Sequence, residues 1–327
     1  MEKFVKYFVL ILMVSAFIMA GCKKDDDEDP TPAPPAKFEI LKDYMVTNNL
    51  DVDVVISGWI VTADTVAAHG AATTYDIIDI RSIDDYNLGH IEGAVHGSLG
   101  TILADAADAT KPILVACYTG QSAGHAVIAL RLSGYANAKV LKWGMSGWNS
   151  SLSGAWNSNV GNTVADYPAN WAAAPGNITS PIVFSTVPNI QSTSSDGAVI
   201  LAERVTAMLA NGFSGIDNTD VLASPTDYFI NNYWAEADVV EYGNIQPAYR
   251  LQPFTLTAET YKNLDPSKAI VNYCWTGQTS SMLTAYFYVL GYDAKSLKFG
   301  VNGMIYDGLH SHKWAEPGTD YPLVPTK

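Results

Sequence analysis

The stretch Cys117-Tyr118-Thr119-Gly120-Gln121-Ser122 joins two segments of different periodicity and decides how this part of the chain folds. Residues 112–116, just before it, form an apolar run, which predicts a buried strand. In residues 123–132, just after it, apolar side chains recur at helical spacing, which predicts a helix. Cys117 is therefore expected on a short loop between the end of a strand and the start of a helix.

Such a position changes the chemistry of a thiol. The start of a helix has N–H groups without partners and a partial positive charge. Both features favour a bound anion, and they favour the thiolate of Cys117 over its thiol. Cys117 is therefore a candidate nucleophile. The alternative is an inert core cysteine, because free cysteine is often buried.

The stretch occurs a second time, as Cys-Trp-Thr-Gly-Gln-Thr at residues 274–279, again between an apolar run and a helix-like segment. Cys274 follows Cys117 by 157 positions. Further matches keep the same order: residues 89–94 with 243–248, 134–135 with 291–292, and 141–144 with 297–300. An ordered set of matches at nearly one interval indicates duplication of a domain of about 150 residues.

Strands and helices alternate within the first repeat. The patterns predict helices at 38–50 and 62–69, a strand at 75–81, a short helix after Ser82, a turn at 89–94 and a strand at 113–116. We therefore predict an α/β fold of two tandem domains, each a mostly parallel sheet flanked by helices. Ligands of such sheets bind outside the carboxyl ends of the strands, where we expect Cys117.

The composition limits the number of domains and the classes of binding partner. The 327 residues are 48% hydrophobic and 16% charged, which suits two packed domains. The net charge of −14 argues against binding nucleic acid or anionic lipid surfaces by charge. The predicted divisions are a signal peptide at 1–21, a tether at 22–37, domain 1 at 38–150, a linker at 151–180 and domain 2 at 181–327.

The first residues have the pattern of a secretory signal, with Lys3 and Lys6 before an apolar segment at 8–19 that is short for a membrane span. Residues 19–22, Met-Ala-Gly-Cys, resemble the lipobox of bacterial lipoproteins. That resemblance implies cleavage before Cys22 and diacylation of its sulfur. The alternative is an ordinary signal peptide followed by an incidental cysteine.

An acidic run at 25–29 and a proline-rich run at 30–35 follow Cys22 and read as a solvated, extended tether. Acyl chains on Cys22 would anchor the protein stably to a membrane. We therefore expect an exported, membrane-anchored lipoprotein at the outer membrane, facing the periplasm or the cell surface.

Cys117 and Cys274 are the cysteines that remain after Cys22. Because each is expected on the loop of its own domain, they are poor disulfide partners. Unpaired cysteines in an exported protein indicate reactivity rather than cross-linking.

Four motifs of the first repeat stand in a fixed order: Asp-Ile-Arg at 79–81, Asp-Tyr at 85–86, Gly-His-Ile-Glu-Gly-Ala at 89–94, and the loop at 117–122. Together they resemble the rhodanese family of sulfurtransferases. The resemblance covers most of residues 60–150, and the repeat extends it to the C-terminus. It implies a double displacement, in which a thiolate takes sulfur from a donor such as thiosulfate or a persulfide. The resulting cysteine persulfide passes the sulfur to cyanide or a thiol.

The resemblance implies catalytic roles for Cys117 and Cys274, a small sulfur-containing substrate, and no cofactor. A persulfide is an anion that loop N–H groups can hold like an oxyanion. Gly120 permits positive φ, and we expect a side chain at Gly124 to crowd the site. The predicted substrate-binding residues are Arg81 and the two loops: Tyr118, Thr119, Gly120, Gln121, Ser122, Trp275, Thr276, Gly277, Gln278 and Thr279.

The two repeats differ outside their loops. Counting back from residues 227–228 places Val221, Leu222 and Ala223 opposite the Asp-Ile-Arg motif, and Asn244 stands in the place of His90. We therefore rank Cys117 above Cys274. Whether Asp79 and Arg81 form a structural pair or bind substrate stays open, and His90 suits a turn better than a general base.

Other functions can be weighed against the same residues. A cysteine phosphatase needs an arginine six residues after the cysteine, but Ala123 and Ser280 stand there. His310 and His312 lack the partners of a metal site. Neither loop contains Lys or Arg, which leaves the donor open. The remaining alternative is a non-catalytic binding or scaffold module, and protein partners are unknown.

Overall fold

Two five-stranded parallel sheets follow one another along the chain in the computed structural model, which describes residues 36–326. The first has the order β1-β5-β4-β2-β3. Its strands are β1 (Ile60–Val61), β2 (Asp76–Asp79), β3 (Val95–His96), β4 (Ile113–Ala116) and β5 (Lys139–Leu141). The helices of this part are α1 (Lys37–Thr47), α2 (Val52–Val55), α3 (Ala63–Ala68), α4 (Ala71–Thr74), α5 (Ile83–Leu88), α6 (Ile102–Asp105) and α7 (Gln121–Leu132).

The second sheet has the equivalent order β7-β12-β11-β8-β10. Before it come α8 (Gly154–Asn157) and β6 (Trp171–Ala172). Its strands are β7 (Gly215–Ile216), β8 (Phe229–Asn232), β10 (Ala248–Arg250), β11 (Ile270–Tyr273) and β12 (Ala294–Leu297), and β9 (Asn244–Ile245) pairs antiparallel with β6. Its helices are α9 (Gly197–Asn211), α10 (Asn218–Ala223), α11 (Glu236–Tyr242) and α12 (Gln278–Val289). The predicted α/β fold class is confirmed.

Local signals in the first repeat placed the elements well. Thr62 caps α3 by accepting a hydrogen bond from the N–H of Thr65, and Ser82 caps α5 by accepting one from the N–H of Asp85. Each cap satisfies an N–H that the helix leaves free. The apolar run predicted as a strand is β4, buried along its whole length.

The main apolar core lies between the two sheets. Alternate side chains of β4 point to opposite faces, so Val115 joins this shared core while Leu114 joins a smaller cluster on the outer face. Helices α7 and α12 pack against each other within the shared core, with Val127 and Leu283 among the buried residues. The carboxyl ends of both sheets, and hence both cysteine loops, are positioned by this contact between helices.

Segments near the two ends of the described chain each contact the repeat that is farther away in sequence. Near the start, the Asp51 carboxylate accepts hydrogen bonds from the N–H groups of Leu256 (2.7 Å) and Thr257 (2.9 Å) in the second repeat. Near the end, Val324 forms a backbone bridge with His90 of the first repeat. Each repeat therefore contacts a terminal segment of the chain that adjoins the other repeat in sequence.

The strand register aligns the repeats more securely than sequence spacing. Asp79 lies opposite Ala116 in the first sheet, and Asn232 lies opposite Tyr273 in the second. Ala116 and Tyr273 are the residues immediately before the two cysteines. Asn232 is therefore the counterpart of Asp79.

The predicted counterparts at 221–223 are wrong, because those residues lie in α10, before β8 begins. The count started from residues 227–228, which precede β8, whereas residues 85–86 follow β2. By the strand register, Trp234 takes the place of Arg81. The prediction that the second repeat lacks the Asp-Ile-Arg motif holds with these corrected residues.

Within residues 36–326, no helix has both the length and the apolar character needed to cross a membrane. The predicted signal peptide, Cys22 and most of the predicted tether lie outside the described residues.

Candidate active site

Cys117 lies directly after β4, and α7 begins at Gln121. Gly120 turns the chain between them with φ = 82°, a left-handed conformation that favours glycine. Its N–H donates a hydrogen bond to Cys117 Sγ over 3.1 Å. Cys117 is 1% exposed. The cysteine therefore has the predicted place, at a strand end and facing the start of a helix.

A tight turn after β5 supports this loop from behind. The N–H of Met145 donates to the carbonyl of Cys117 (2.7 Å), and the N–H and hydroxyl of Ser146 donate to the carbonyl of Tyr118 (3.1 and 2.8 Å). A Cβ on Gly144 would overlap the Cys117 carbonyl, so only glycine permits this approach. The second repeat makes the corresponding bonds, from Val301 N–H to Cys274 O (3.2 Å) and from Asn302 N–H to Trp275 O (3.3 Å).

Tyr118 forms the outer wall of the first loop and is 42% exposed. Its hydroxyl donates to the carboxylate of Asp85 and lies 3.1 Å from Ser82 Oγ. Hydrogen bonds from Ser82 and Tyr118, with the charge of Arg81 as a smaller cause, hold the pKa of Asp85 below its usual value. The exposed side of the loop thus has a carboxylate beside it.

Arg81 is buried and paired with Asp79, its Nη2 lying 2.6 Å from Asp79 Oδ2. The same Nη2 donates to the carbonyl of Gly89 (2.7 Å), and Nε donates to both carboxylate oxygens. The guanidinium lies 5.9 Å from the ring of Tyr118. These contacts are those of a residue that orients the end of β2 and the following turn.

The histidines near this pair make structural contacts. The ring of His90 stacks on Tyr86 with 3.9 Å between ring centres, and its Nδ1 lies 2.9 Å from the Tyr86 carbonyl. His96 Nε2 lies 2.9 Å from the carbonyl of Arg81. The sequence interpretation of His90 as a turn residue agrees with these contacts, whereas it did not single out His96.

The second cysteine has different neighbours. Cys274 is 2% exposed, its thiol donates to Ser280 Oγ (3.5 Å), and its sulfur accepts from the Ser280 N–H (3.3 Å). Ser280 Oγ lies 2.9 Å from Ser296 Oγ. In the first repeat these two serine positions hold Ala123 and Val140. A polar chain therefore engages the sulfur of Cys274, whereas apolar side chains stand at these positions beside Cys117.

Aromatic rings replace the charged residues around the second loop. Trp275, the counterpart of Tyr118, stacks on Trp234 with ring centres 4.4 Å apart and on His312 at 4.9 Å. Burial, with the charge of Lys142 as a further cause, lowers the pKa of His312. Among residues 36–326, no group of three or more His, Cys, Asp or Glu side chains is placed to hold a metal ion.

The remaining predicted loop residues lie at the two helix starts. Ser122 and Thr279 are half-buried in the first turns of α7 and α12. The Thr276 hydroxyl lies 3.3 Å from Gln278 Oε1, to which it donates. The Thr276 hydroxyl therefore engages Gln278 of its own loop, and Ser122 and Thr279 lie at the helix starts next to the two loop glycines.

The two loops bind each other across the interface between the repeats. Gln278 Nε2 donates to the carbonyl of Thr119 (3.1 Å), and Gln121 Oε1 accepts from the N–H of Phe299 (2.8 Å). The Ser281 hydroxyl donates to the carbonyl of Gln121 (2.5 Å). Sequence reasoning expected the Gln121 amide to face a bound persulfide, whereas its hydrogen bonds go to Phe299 and to Thr119 Oγ1 (3.1 Å).

The interface also accounts for Gly124 and His125. A Cβ on Gly124 would lie 2.7 Å from Ser281 Oγ, so the glycine makes room for the second repeat rather than for a substrate. Ser214 N–H donates to His125 Nε2 (3.4 Å), so Nδ1 carries the hydrogen and donates to Ser281 Oγ (2.9 Å). Burial lowers the pKa of His125 to about 3, and the ring is neutral at pH 7.

Trp156 is a contact that sequence reasoning missed, because it lies in the predicted linker and belongs to no repeated motif. Its Nε1 donates to the carbonyl of Thr119 (3.3 Å). Its ring packs on Trp143 (4.8 Å), Phe299 (5.0 Å) and Trp314 (5.2 Å). Trp143 and Trp314 therefore pack around a residue that contacts the first loop and Phe299 of the second repeat.

Comparisons with known proteins find relatives of the part of the chain that contains the first loop. The family model described as Rhodanese-like domain matches residues 62–151, which include Cys117. The thiosulfate sulfurtransferase GlpE of Pseudomonas fluorescens is 36% identical over 78 residues, which are 23% of this chain and 71% of that protein. GlpE of Shewanella oneidensis is 32% identical over 83 residues, which are 24% of this chain and 81% of that protein.

Solved structures align at lower identity. A thiosulfate sulfurtransferase from Pseudomonas aeruginosa is 16% identical and covers 89% of this chain and 49% of its own, with a TM-score of 0.27. The 3-mercaptopyruvate sulfotransferase SseA from Escherichia coli is 16% identical and covers 74% of this chain and 98% of its own, with a TM-score of 0.26. On the extent and identity of the sequence matches, this chain belongs to the rhodanese family.

Proposed function

We propose that the protein is a sulfurtransferase that carries sulfur as a persulfide on Cys117. The main support is the hydrogen bond from the Gly120 N–H to Cys117 Sγ (3.1 Å) at the start of α7. A helix start and a loop N–H both stabilise a sulfur anion. Relatives named thiosulfate sulfurtransferase match the part of the chain that holds this family's domain.

The reaction has two displacements. The Cys117 thiolate attacks the outer sulfur of the donor, an S–S bond forms, and the donor's former S–S bond breaks. With thiosulfate the leaving group is sulfite, and with a persulfide it is a thiolate. Cyanide or a thiolate then attacks the outer sulfur of the persulfide and releases the Cys117 thiolate, with no net change in electrons on the protein.

Cys117 ranks above Cys274 because of the partners of each sulfur. The sulfur of Cys274 accepts from the Ser280 N–H over 3.3 Å, and its thiol donates to Ser280 Oγ, so ionisation strengthens the first bond and breaks the second. The sulfur of Cys117 accepts from Gly120, a bond that strengthens when the thiol ionises. Cys274 remains a second candidate.

The donor class stays open between thiosulfate and a persulfide. Arg81, whose guanidinium lies 5.9 Å from the ring of Tyr118, already binds Asp79 and Gly89. The Asp85 carboxylate beside Tyr118 adds negative charge to the exposed side of that loop. An anionic donor would therefore rely on the N–H groups of the loop and of α7 rather than on Arg81. Since Cys117 is 1% exposed, transfer requires covering side chains to move.

We also propose that residues 181–327 are a second, diverged rhodanese-like domain, which the equivalent strand order supports. The lipobox-like residues 19–22 support lipid attachment at Cys22 and export to the outer membrane. Labelling cells with a fatty acid tests this: the label should enter the wild-type protein and be absent from Cys22→Ala. Equal labelling of both would refute the anchor.

The alternative function is a non-catalytic binding or scaffold module, favoured by the burial of both sulfurs and by the replacement of Arg81 by Trp234. Cyanolysis separates the two. The protein is loaded with thiosulfate, mercaptopyruvate or a persulfide donor, cyanide is added, and thiocyanate is measured. We expect thiocyanate from the wild type and Cys274→Ser, none from Cys117→Ser, and the mass of one added sulfur atom on Cys117. No thiocyanate from the wild type with any donor would refute the enzyme.

A further inference from the structure

The peptide unit between Thr119 and Gly120 is held on both sides. Its N–H donates to Cys117 Sγ (3.1 Å). Its carbonyl accepts from Gln278 Nε2 (3.1 Å) and from Trp156 Nε1 (3.3 Å). Because a trans peptide is planar, its C=O and N–H point in opposite directions, and fixing the oxygen also fixes the direction of the N–H.

The donors on the carbonyl also strengthen the N–H. Hydrogen bonds in a chain polarise one another, so two donors on the Thr119 carbonyl make the Gly120 N–H a better donor to sulfur. The orientation of the Gln278 amide is fixed by Thr276, whose hydroxyl donates to Oε1 and leaves Nε2 for the carbonyl. A Cβ on Gly120 would overlap Gln278 Nε2, so the glycine is needed for this contact as well as for its positive φ.

The second repeat supports the peptide that faces Cys117, but the first repeat does not support the corresponding peptide at Cys274. In the second loop the sulfur of Cys274 binds Ser280 rather than the N–H of Gly277. Gln121, the counterpart of Gln278, binds the N–H of Phe299, outside the loop at 274–279. The second repeat therefore supplies a side chain to the peptide that faces Cys117, and no equivalent bond returns.

We propose that Gln278 is a positioning residue for Cys117, which aims the Gly120 N–H at the sulfur from the other repeat and so stabilises the thiolate and the persulfide. The persulfide part rests on the proposed function. The thiolate part does not, because ionisation of Cys117 is measurable without any sulfur transfer. A role for the second repeat follows that does not need Cys274.

The test uses the full-length chain with Cys22→Ala and Cys274→Ser, which leaves Cys117 as its single thiol. The rate of alkylation of Cys117 by iodoacetamide is measured against pH, and the midpoint reports its ionisation. Gln278→Met keeps the length of the side chain and removes the donor without adding charge. We expect the midpoint to rise by a few tenths of a pH unit and by at most about one, the scale of a direct hydrogen bond to a charged group, because Gln278 acts on the sulfur through the Gly120 N–H.

The matched control is Gln246→Met, the same change at an amide of the second repeat whose Nε2 is buried without a hydrogen-bond partner. Its midpoint should equal that of the parent chain. Trp156→Phe removes the second donor to the Thr119 carbonyl and should raise the midpoint by less than Gln278→Met. This variant decides the question if Gln278→Met does not fold.

Midpoints that stay unchanged in both folded variants, or an equal rise in Gln246→Met, would overturn the proposal. Failure of the sulfurtransferase proposal gives a different result, because the wild type then yields no thiocyanate whatever the midpoints show.

Discussion

The two cysteine loops have nearly the same backbone and different surroundings. Both turn through a glycine with positive φ, 82° at Gly120 and 76° at Gly277, and both are supported by a tight turn after the next strand. Around them, the first repeat has a buried ion pair and the second has stacked tryptophans.

This difference separates two properties of the motif. The sequence Cys-x-Thr-Gly-Gln specifies a backbone turn, because glycine and the helix start determine its shape. It does not specify what the sulfur touches, since Ser280 and Ser296 reach Cys274 from a helix and a neighbouring strand. A shared loop motif is therefore evidence for shared geometry before it is evidence for shared reactivity.

The largest expected effect comes from the charged pair of the first repeat. Arg81→Met leaves Asp79 buried without its partner, which should lower the free energy of unfolding by roughly 3–5 kcal/mol. Arg250→Met in the second repeat removes a hydrogen bond from Nε to the Trp234 carbonyl and should cost about 1 kcal/mol. Urea unfolding measures both. Similar losses in the two variants would show that the ion pair does not distinguish the repeats.

The next effect in size is a dependence of the free energy of unfolding on pH, which a histidine gives to α7 and which α12 lacks. His125 has a pKa of about 3 when folded and is matched in α12 by Met282, which does not titrate. Between pH 6.5 and 3 the unfolded chain binds a proton there that the folded chain does not, so stability falls as the pH is lowered. From pH 7 to 5 this site should remove about 2 kcal/mol.

Urea unfolding at both pH values tests this, with His125→Gln as the variant that cannot titrate and Met282→Leu as the control that keeps His125. The glutamine variant should lose about 2 kcal/mol less than the other two chains over this range. An equal pH dependence in all three would mean that His125 takes up the same proton in the folded chain as in the unfolded chain over this range.

Next in size are the two loop glycines. Gly120→Ala forces a left-handed conformation on a side chain, at a cost of roughly 1–2 kcal/mol, and it displaces Gln278. Gly277→Ala carries the same backbone cost and displaces Gln121. Thermal unfolding should therefore be similar in the two variants, while thiocyanate production should fall further in Gly120→Ala. The reverse order of activity would place the reaction at Cys274.

The smallest effect concerns the second sulfur. Ser280→Ala makes this position like Ala123 of the first repeat and removes one partner of Ser296 Oγ, which keeps its hydrogen bond to the Gly277 carbonyl. Stability should fall by about 1 kcal/mol, measured by urea unfolding. No loss would mean that the polar chain at Cys274 contributes nothing, and the distinction between the two sulfurs would then rest on Gly120 alone.

Sequence reasoning reached the fold class, the caps at Thr62 and Ser82, and the position of Cys117, because these depend on local periodicity and on residue types within a few positions. It misaligned the second repeat at 221–223, because a match of two residues carries no information about which side of a strand it occupies. Strand pairing supplied the correct alignment through Asn232.

The sequence by itself determined that two cysteines lie at strand-to-helix loops, since an apolar run, a glycine and a helical pattern within about twenty residues leave little choice of local structure. Only the tertiary structure decided that the loops bind each other. Gln278 is 159 residues from Thr119, and Trp156 is 37 residues away. Contacts at such separations arise when α7 packs on α12, and side-chain spacing along the chain does not encode that packing.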